Sequence, residues 1–208
     1  MWQQSTGEQQ IEAGDVHILG LILAGGRSER MGQDKTLVEL AGRPMLAHVC
    51  DRFGPQVDAL ILNSNAAPSQ FIHSHLPLLP DEGESMGPLS GLLAGLTYAR
   101  AGGAQWLALV PIDAPLLPRD LIPRLLAAIG QNDVAIARGT HIEPMFSLWS
   151  CRAEAQIRRR AETGERALYR IAADLRHVYV DFESDEGFLN VNTQEELVRA
   201  HHLLHDKS

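Results

Sequence analysis

Between Gly25 and Lys35 the chain places three glycines, two arginines and a lysine: Gly25-Gly26-Arg27-Ser28-Glu29-Arg30-Met31-Gly32-Gln33-Asp34-Lys35. This stretch follows the apolar run Ile18-Leu19-Gly20-Leu21-Ile22-Leu23-Ala24. Glycine lets backbone N–H groups come close to an anion, and the cations neutralise its charge, so the composition suits a polyphosphate. Displacement at a phosphorus needs such charge, because negative charge moves onto the leaving group in the transition state. Two widespread phosphate loops do not fit: the chain has neither the Gly-Lys-Ser/Thr of one nor the G-x-G-x-x-G of the other. Asp113 is the matching acid. It follows the apolar run Trp106-Leu107-Ala108-Leu109-Val110 and stands between Pro111 and Pro115. A carboxylate held rigidly there suits a Mg²⁺ ion whose other ligands are phosphate oxygens and water. An aspartate in a strand-to-helix turn can instead cap the helix, and spacing makes that the less natural use here. Asn63 and Asp81 end two further apolar runs, a place where both residue types also act as plain turn formers.

These residues share a position: each follows a buried strand. Hydrophobic spacing predicts strands over 18–23, 59–63 and 106–110, with a short one over 77–80. Helices are expected over 45–53, with Pro44 in the first turn, and over 89–100 and 118–129. A strand at 134–137 follows, then 145–149, helices over 153–161 and 165–175, and a strand at 178–180. A last helix spans 193–204, where Thr193 and Glu196 form a capping box. Strands alternating with helices predict an α/β domain with a mostly parallel sheet and helices on both faces. Ligands of such sheets bind outside the carboxyl ends of the strands. The glycine loop, Asn63, Asp81 and Asp113 therefore converge on one edge.

At 208 residues the chain fits one medium domain, and no linker marks a second. Residues 1–16 are polar and Gln-rich and read as a disordered extension, with the domain over 17–208. A net charge of −8 argues against a broad nucleic-acid surface but not against a single nucleotide held by a local cationic loop. No apolar run reaches the roughly 18 residues of a membrane span, so a cytoplasmic location without membrane contact is expected. Cys50 and Cys151 read as buried free thiols. The Arg158-Arg159-Arg160 stretch, with Arg152 and Arg166, reads as a solvated helix face, or else as a dock for an anionic ligand or partner. His201, His202 and His205 have a spacing that can bind metal, yet a helix end with favourable dipole placement is the simpler reading. No Ser/His/Asp arrangement or reactive-cysteine signature is present. A phosphate monoester acceptor, with a second pKa of about 6, needs no such nucleophile machinery.

The string Leu23-Ala24-Gly25-Gly26-Arg27-Ser28-Glu29-Arg30-Met31-Gly32-Gln33-Asp34-Lys35 resembles the signature of the molybdenum cofactor guanylyltransferases, within the wider nucleotidyltransferase superfamily. The resemblance runs from about Ile18 to His201 and implies a single-domain, Rossmann-like nucleotidyltransferase fold. It implies transfer of GMP from Mg-GTP to the terminal phosphate of molybdenum-bound molybdopterin, with release of pyrophosphate. Leu23, Ala24, Gly25 and Gly26 would hold the nucleotide, Lys35 its phosphates with Arg30 beside it, and Asp113 would hold Mg²⁺ and the nucleotide. Asn63 and Asp81 align with nucleotide-contacting positions. Gly87-Pro88-Leu89-Ser90-Gly91 resembles an element that opens a helix near the nucleotide. Phe188-Leu189-Asn190-Val191-Asn192-Thr193 resembles a late string on the molybdopterin side, which brings in Asn190 and Asn192. Glu143-Pro144 matches a polar-Pro step without a clear role, and Ile112 departs from the cysteine often found there. Transient contacts with cofactor-synthesis proteins and apo-molybdoenzymes are also implied. Relatives that use CTP typically have Leu-Ala-Ala-Gly at 23–26, so a cytidylyltransferase is the alternative. A nucleotide-binding regulator without turnover is a third reading, but it would tolerate loss of Lys35 or Asp113, and both are present.

Overall fold

Ile18–Leu23 (β1) is apolar at every position, a composition suited to a strand covered on both faces, and all six residues are buried. The computed structural model describes residues 17–24, 38–71, 74–83 and 85–205. The elements that follow are Glu39–Leu40 (β2), Arg43–Pro44 (β3), Met45–Phe53 (α1), Ala59–Asn63 (β4), Leu78–Leu79 (β5), Pro88–Ala101 (α2) and Trp106–Pro111 (β6). Then come Leu121–Ile129 (α3), Val134–Arg138 (β7), Ile142–Ser150 (β8), Glu154–Glu162 (α4), Leu168–Ala173 (α5), His177–Asp181 (β9) and Gln194–His205 (α6). Seven strands form one sheet in the order β5-β4-β1-β6-β8-β7-β9, and β2 pairs with β3 as a separate hairpin.

Alternate side chains of β1 divide between two cores. Ile18 and Ile22 join Val49 and Phe53 of α1 and Leu121, Ile122 and Leu125 of α3. Leu19, Leu21 and Leu23 join Leu92, Leu93 and Leu96 of α2, with Ile157 and Ile171 further along the same face. Helices therefore cover both faces, and β5, β4, β1 and β6 run parallel. The expected α/β class is what the chain forms.

The second half departs from strict alternation for a topological reason. Gly139 donates its N–H to the His141 carbonyl (3.0 Å), closing a tight hairpin between β7 and β8. A turn this short can only join antiparallel strands. β8 is accordingly antiparallel to β6 and β7 and runs nine residues, longer than the 145–149 expected. The β2–β3 hairpin, unforeseen in the sequence, closes a third core. There Val38, Leu40 and Met45 meet Leu116, Val191 and Ala200 of α6. Thr193 caps α6 as expected, its Oγ1 accepting the Glu196 N–H (3.2 Å), while the return bond reaches one residue further back, Glu196 Oε2 accepting the Asn192 N–H (2.7 Å). Cys50 and Cys151 are free, and burial pushes both thiols up to about 11, so neither is a nucleophile near neutrality. Among the described residues no helix is long and apolar enough to cross a membrane.

Candidate active site

Four strand ends stand level at one edge of the sheet. Leu79 of β5 pairs with Asn63 of β4, Asn63 with Leu23 of β1, and Leu23 with Pro111 of β6. Neighbouring strands lie about 4.8 Å apart, so the row spans the width of a nucleotide. Backbone bonds carry the row past the strand ends. The Ala24 N–H donates to the Asn63 carbonyl (2.9 Å), and the Ile112 N–H to the Leu23 carbonyl (3.0 Å). Leu23, Ala24, Asn63, Asp81 and Asp113 are thus brought to one edge. Gly25, Gly26, Arg27, Arg30 and Lys35, and the extension expected at 1–16, lie outside the described residues. The chain re-enters at Val38 beside the β2–β3 hairpin, where His48 Nε2 bonds the Leu40 carbonyl (2.8 Å).

Asn63 and Asp81 are in direct contact. Asn63 is 2 % exposed, and its Nδ2 donates to Asp81 Oδ1 (3.0 Å) and to the Leu79 carbonyl (3.0 Å). Asn65 Nδ2 donates to Asp81 Oδ2 (2.8 Å), and the Asp81 N–H donates to Asn65 Oδ1 (2.8 Å). So Asn63 is a buried brace, while the half-buried Asp81 is the acid presented at the edge. α2 packs against this brace through Gly91. A Cβ there would overlap Asn63 Oδ1 and Leu23 Cδ2 and lie 2.8 Å from Asn63 Cγ. The sequence marks Gly91 as part of a helix opening; its close approach to Asn63 and Leu23 is a packing requirement that only three dimensions reveal. We expect Gly91→Ala to destabilise the fold by about 1–3 kcal/mol, the usual cost of overpacking. It should also weaken nucleotide affinity, because Asn63 must move. Thermal unfolding and a nucleotide titration check both effects.

Asp113 sits on a rigid ledge. Ile112, Ala114 and Leu117 around it are buried, and its carbonyl accepts the Val191 N–H (2.7 Å). The capping alternative fails on geometry. α3 starts only at Leu121, where Asp120 makes no side-chain cap, and Gln56 Oε1 takes the Ile122 N–H (2.9 Å). The Val191 bond sets the 188–193 string beside Asp113, and Asn190 and Asn192 stand on either side of Val191 in the chain. Asn190 Oδ1 is buried and finds no hydrogen-bond partner among the described residues. A buried acceptor in that state costs free energy unless a ligand donor meets it. Among the described residues no cluster of three His, Cys, Asp or Glu side chains could form a protein-only metal cage. A lone strand-end carboxylate fits Mg²⁺, which is commonly held by one or two carboxylates plus substrate phosphates and water.

Three other candidates resolve differently. The basic stretch stays accessible to solvent and is ion-paired in part: Arg160 bridges Asp174 (2.5 Å), Arg158 bridges Glu82 and Glu154, and Arg152 and Arg159 are exposed. His201 and His205 bond each other, Nε2 to Nε2 at 3.4 Å, on the exposed face of α6. Glu143 is half-buried, and its carboxyl is raised by burial and then by the neighbouring Asp185. At the opposite, amino end of β6 a cleft is lined by Arg100, Trp106, Cys151 and Arg152. It holds none of the residues at the strand-end row.

A mostly parallel sheet that brings Leu23, Ala24, Asn63, Asp81 and Asp113 to its carboxyl edge, in a chain whose sequence runs on from Ala24 into glycines and cations, is the arrangement of a nucleotidyltransferase. Residues 20–178 match the MobA-like NTP transferase domain. The chain belongs to the molybdenum cofactor guanylyltransferase family. It is 40% identical over 191 residues to the molybdenum cofactor guanylyltransferase of Cereibacter sphaeroides, covering 91% of this chain and 98% of the relative. The corresponding protein of Vibrio cholerae is 36% identical over 184 residues, covering 86% and 89%. The fold also matches molybdopterin-guanine dinucleotide biosynthesis protein A from Archaeoglobus fulgidus, with a TM-score of 0.75 at 20% identity over 90% of this chain and 99% of that one.

Proposed function

We infer that the protein transfers GMP from GTP to the terminal phosphate of molybdenum-bound molybdopterin. The guanine dinucleotide form of the cofactor and pyrophosphate are the products. The observation that carries this reading is the level row Leu79, Asn63, Leu23 and Pro111, with Asp81 and Asp113 beyond its two ends. It is joined to the printed activity of relatives that align over nearly their whole length.

The chemistry asks little of the protein beyond position and charge. A terminal phosphate oxygen of the acceptor attacks the α-phosphorus of GTP. One P–O bond forms while the bond from that phosphorus to the bridging oxygen breaks, and pyrophosphate takes the electron pair. The Leu23-Ala24-Gly25-Gly26 backbone holds the nucleotide, Asp81 faces it across the Asn63 brace, and Lys35 with Arg30 neutralises the phosphates. Asp113 would hold Mg²⁺, which when bound polarises phosphate oxygens and offsets the charge that builds on the leaving group. Asn190 and Asn192, tied beside Asp113 through Val191, orient the acceptor. The orphaned Asn190 Oδ1 is suited to an N–H or amine donor of the pterin.

Incubation with Mg-GTP and molybdopterin should yield a guanine dinucleotide by mass spectrometry and one pyrophosphate per product. Nucleotide binding without turnover would instead support the regulator reading. The protein partners that would supply the acceptor or take the product are those of the cofactor-synthesis and apo-molybdoenzyme class.

A further inference from the structure

The arginine-rich stretch of α4 finds a use in the nucleotide edge. Glu154, at the start of α4, is 8% exposed and accepts three bonds: from Thr97 Oγ1 on α2, Arg158 Nη2 one turn on, and Arg100 Nη1, each at 3.1 Å. A nearly buried carboxylate with three donors fixes the side chains that serve it, so the ordering cost of Arg158 is met before any further contact forms. Arg158 Nη2 also donates to Thr97 Oγ1 (3.0 Å). Its other nitrogen, Nη1, is left for Glu82 Oε2 at 2.9 Å.

Glu82 is the next residue after Asp81 and belongs to the segment that leaves β5 and returns to the sheet at α2. Beyond it, the Met86 N–H donates to Ser90 Oγ of α2 (2.5 Å). Asp81 is braced from one side by Asn63 and Asn65. A second tether holds the next residue, through Glu82 and Arg158 to the Glu154 cluster. We infer that Arg158, preset by Glu154 and Thr97, is a positioning residue that holds Glu82 and so keeps Asp81 aimed at the nucleotide. Its effect is preorganisation: a segment already ordered loses less freedom when GTP binds. The inference rests on the reading that Asp81 faces the nucleotide.

The test compares Glu82→Gln, Arg158→Ala, Arg158→Lys and Asp81→Ala in the full chain, measuring GTP KM, kcat and Tm for each. Glu82→Gln leaves the Glu154 cluster whole, so Tm should hold while the KM for GTP rises roughly threefold to tenfold and kcat stays within about twofold. Arg158→Ala should raise KM to the same degree and lower Tm as well. Arg158→Lys should recover part of the affinity. The double variant Glu82→Gln/Arg158→Ala should be no weaker in KM than Arg158→Ala alone, as expected of one shared contact. An unchanged KM in Glu82→Gln, or a double variant whose effects simply add, overturns the inference. Asp81→Ala separates the two levels. If it raises KM while Glu82→Gln is silent, only the tether is wrong; if Asp81→Ala is itself silent, the nucleotide reading of Asp81 falls.

Discussion

Asp113→Ala should abolish GMP transfer and leave the fold standing. The site explains both halves of that expectation. The residue is half-buried at a strand end, so truncation opens no core cavity. Its backbone role, accepting the Val191 N–H, survives in alanine, as does the neighbouring Ile112 bond to Leu23. α3 keeps its start because Gln56 supplies the bond to Ile122. What disappears is the carboxylate at the end of β6. With that carboxylate as the proposed Mg²⁺ anchor, its loss removes several kcal/mol of charge stabilisation, and at about 1.4 kcal/mol per decade the rate should fall roughly a thousandfold or more. Transfer assays across a Mg²⁺ series, with Tm measured alongside, check this. Near-normal transfer at saturating Mg²⁺ would remove the metal role from Asp113.

Lys35→Ala should give the second large effect. A lysine in a glycine-bounded loop after β1 matters to rate only if it meets charge that develops as pyrophosphate departs. Removing one preorganised donor of that kind costs on the order of a hundredfold or more in kcat. A lysine that held ground state and transition state alike would instead raise KM and leave kcat alone. Steady-state kinetics with GTP varied at saturating acceptor distinguishes the two. A pure KM effect would make Lys35 a binding residue without a share in the rate.

The parallel half of the sheet is legible in the sequence because β1, β4 and β6 are unbroken apolar runs closed by Gly, Asn or Pro. Burial on both faces leaves such runs few alternatives. The site is legible to the same extent, since the register Leu79, Asn63, Leu23, Pro111 places the strand-end residues level. Long-range geometry is what one-dimensional spacing lacks. Two-residue strands such as β2 and β3 carry no periodicity, and the reversal of β8 depends on a hairpin closed at Gly139. Asn63 reads as a nucleotide contact; its bond to Asp81 and its packing against Gly91 are what the three-dimensional structure adds. Arg158 reads as a surface charge because its partners, Glu82 and Thr97, lie far from it along the chain. The orphaned Asn190 Oδ1 has no signature beyond the residue type itself.

The assignment depends most on the base that is transferred. The resemblance sets Gly25 where CTP-using relatives carry alanine, and glycine lacks the Cβ that would compete with a purine. The decisive measurement is kcat/KM for GTP and for CTP with molybdopterin as acceptor, in the same preparation. A steric pocket alone discriminates by roughly 1–3 kcal/mol, and polar groups left unpaired by the wrong base add to it. GTP should therefore be preferred by at least about tenfold, with the guanine dinucleotide as the product. Equal or better use of CTP would contradict the guanylyl assignment and install the cytidylyl alternative.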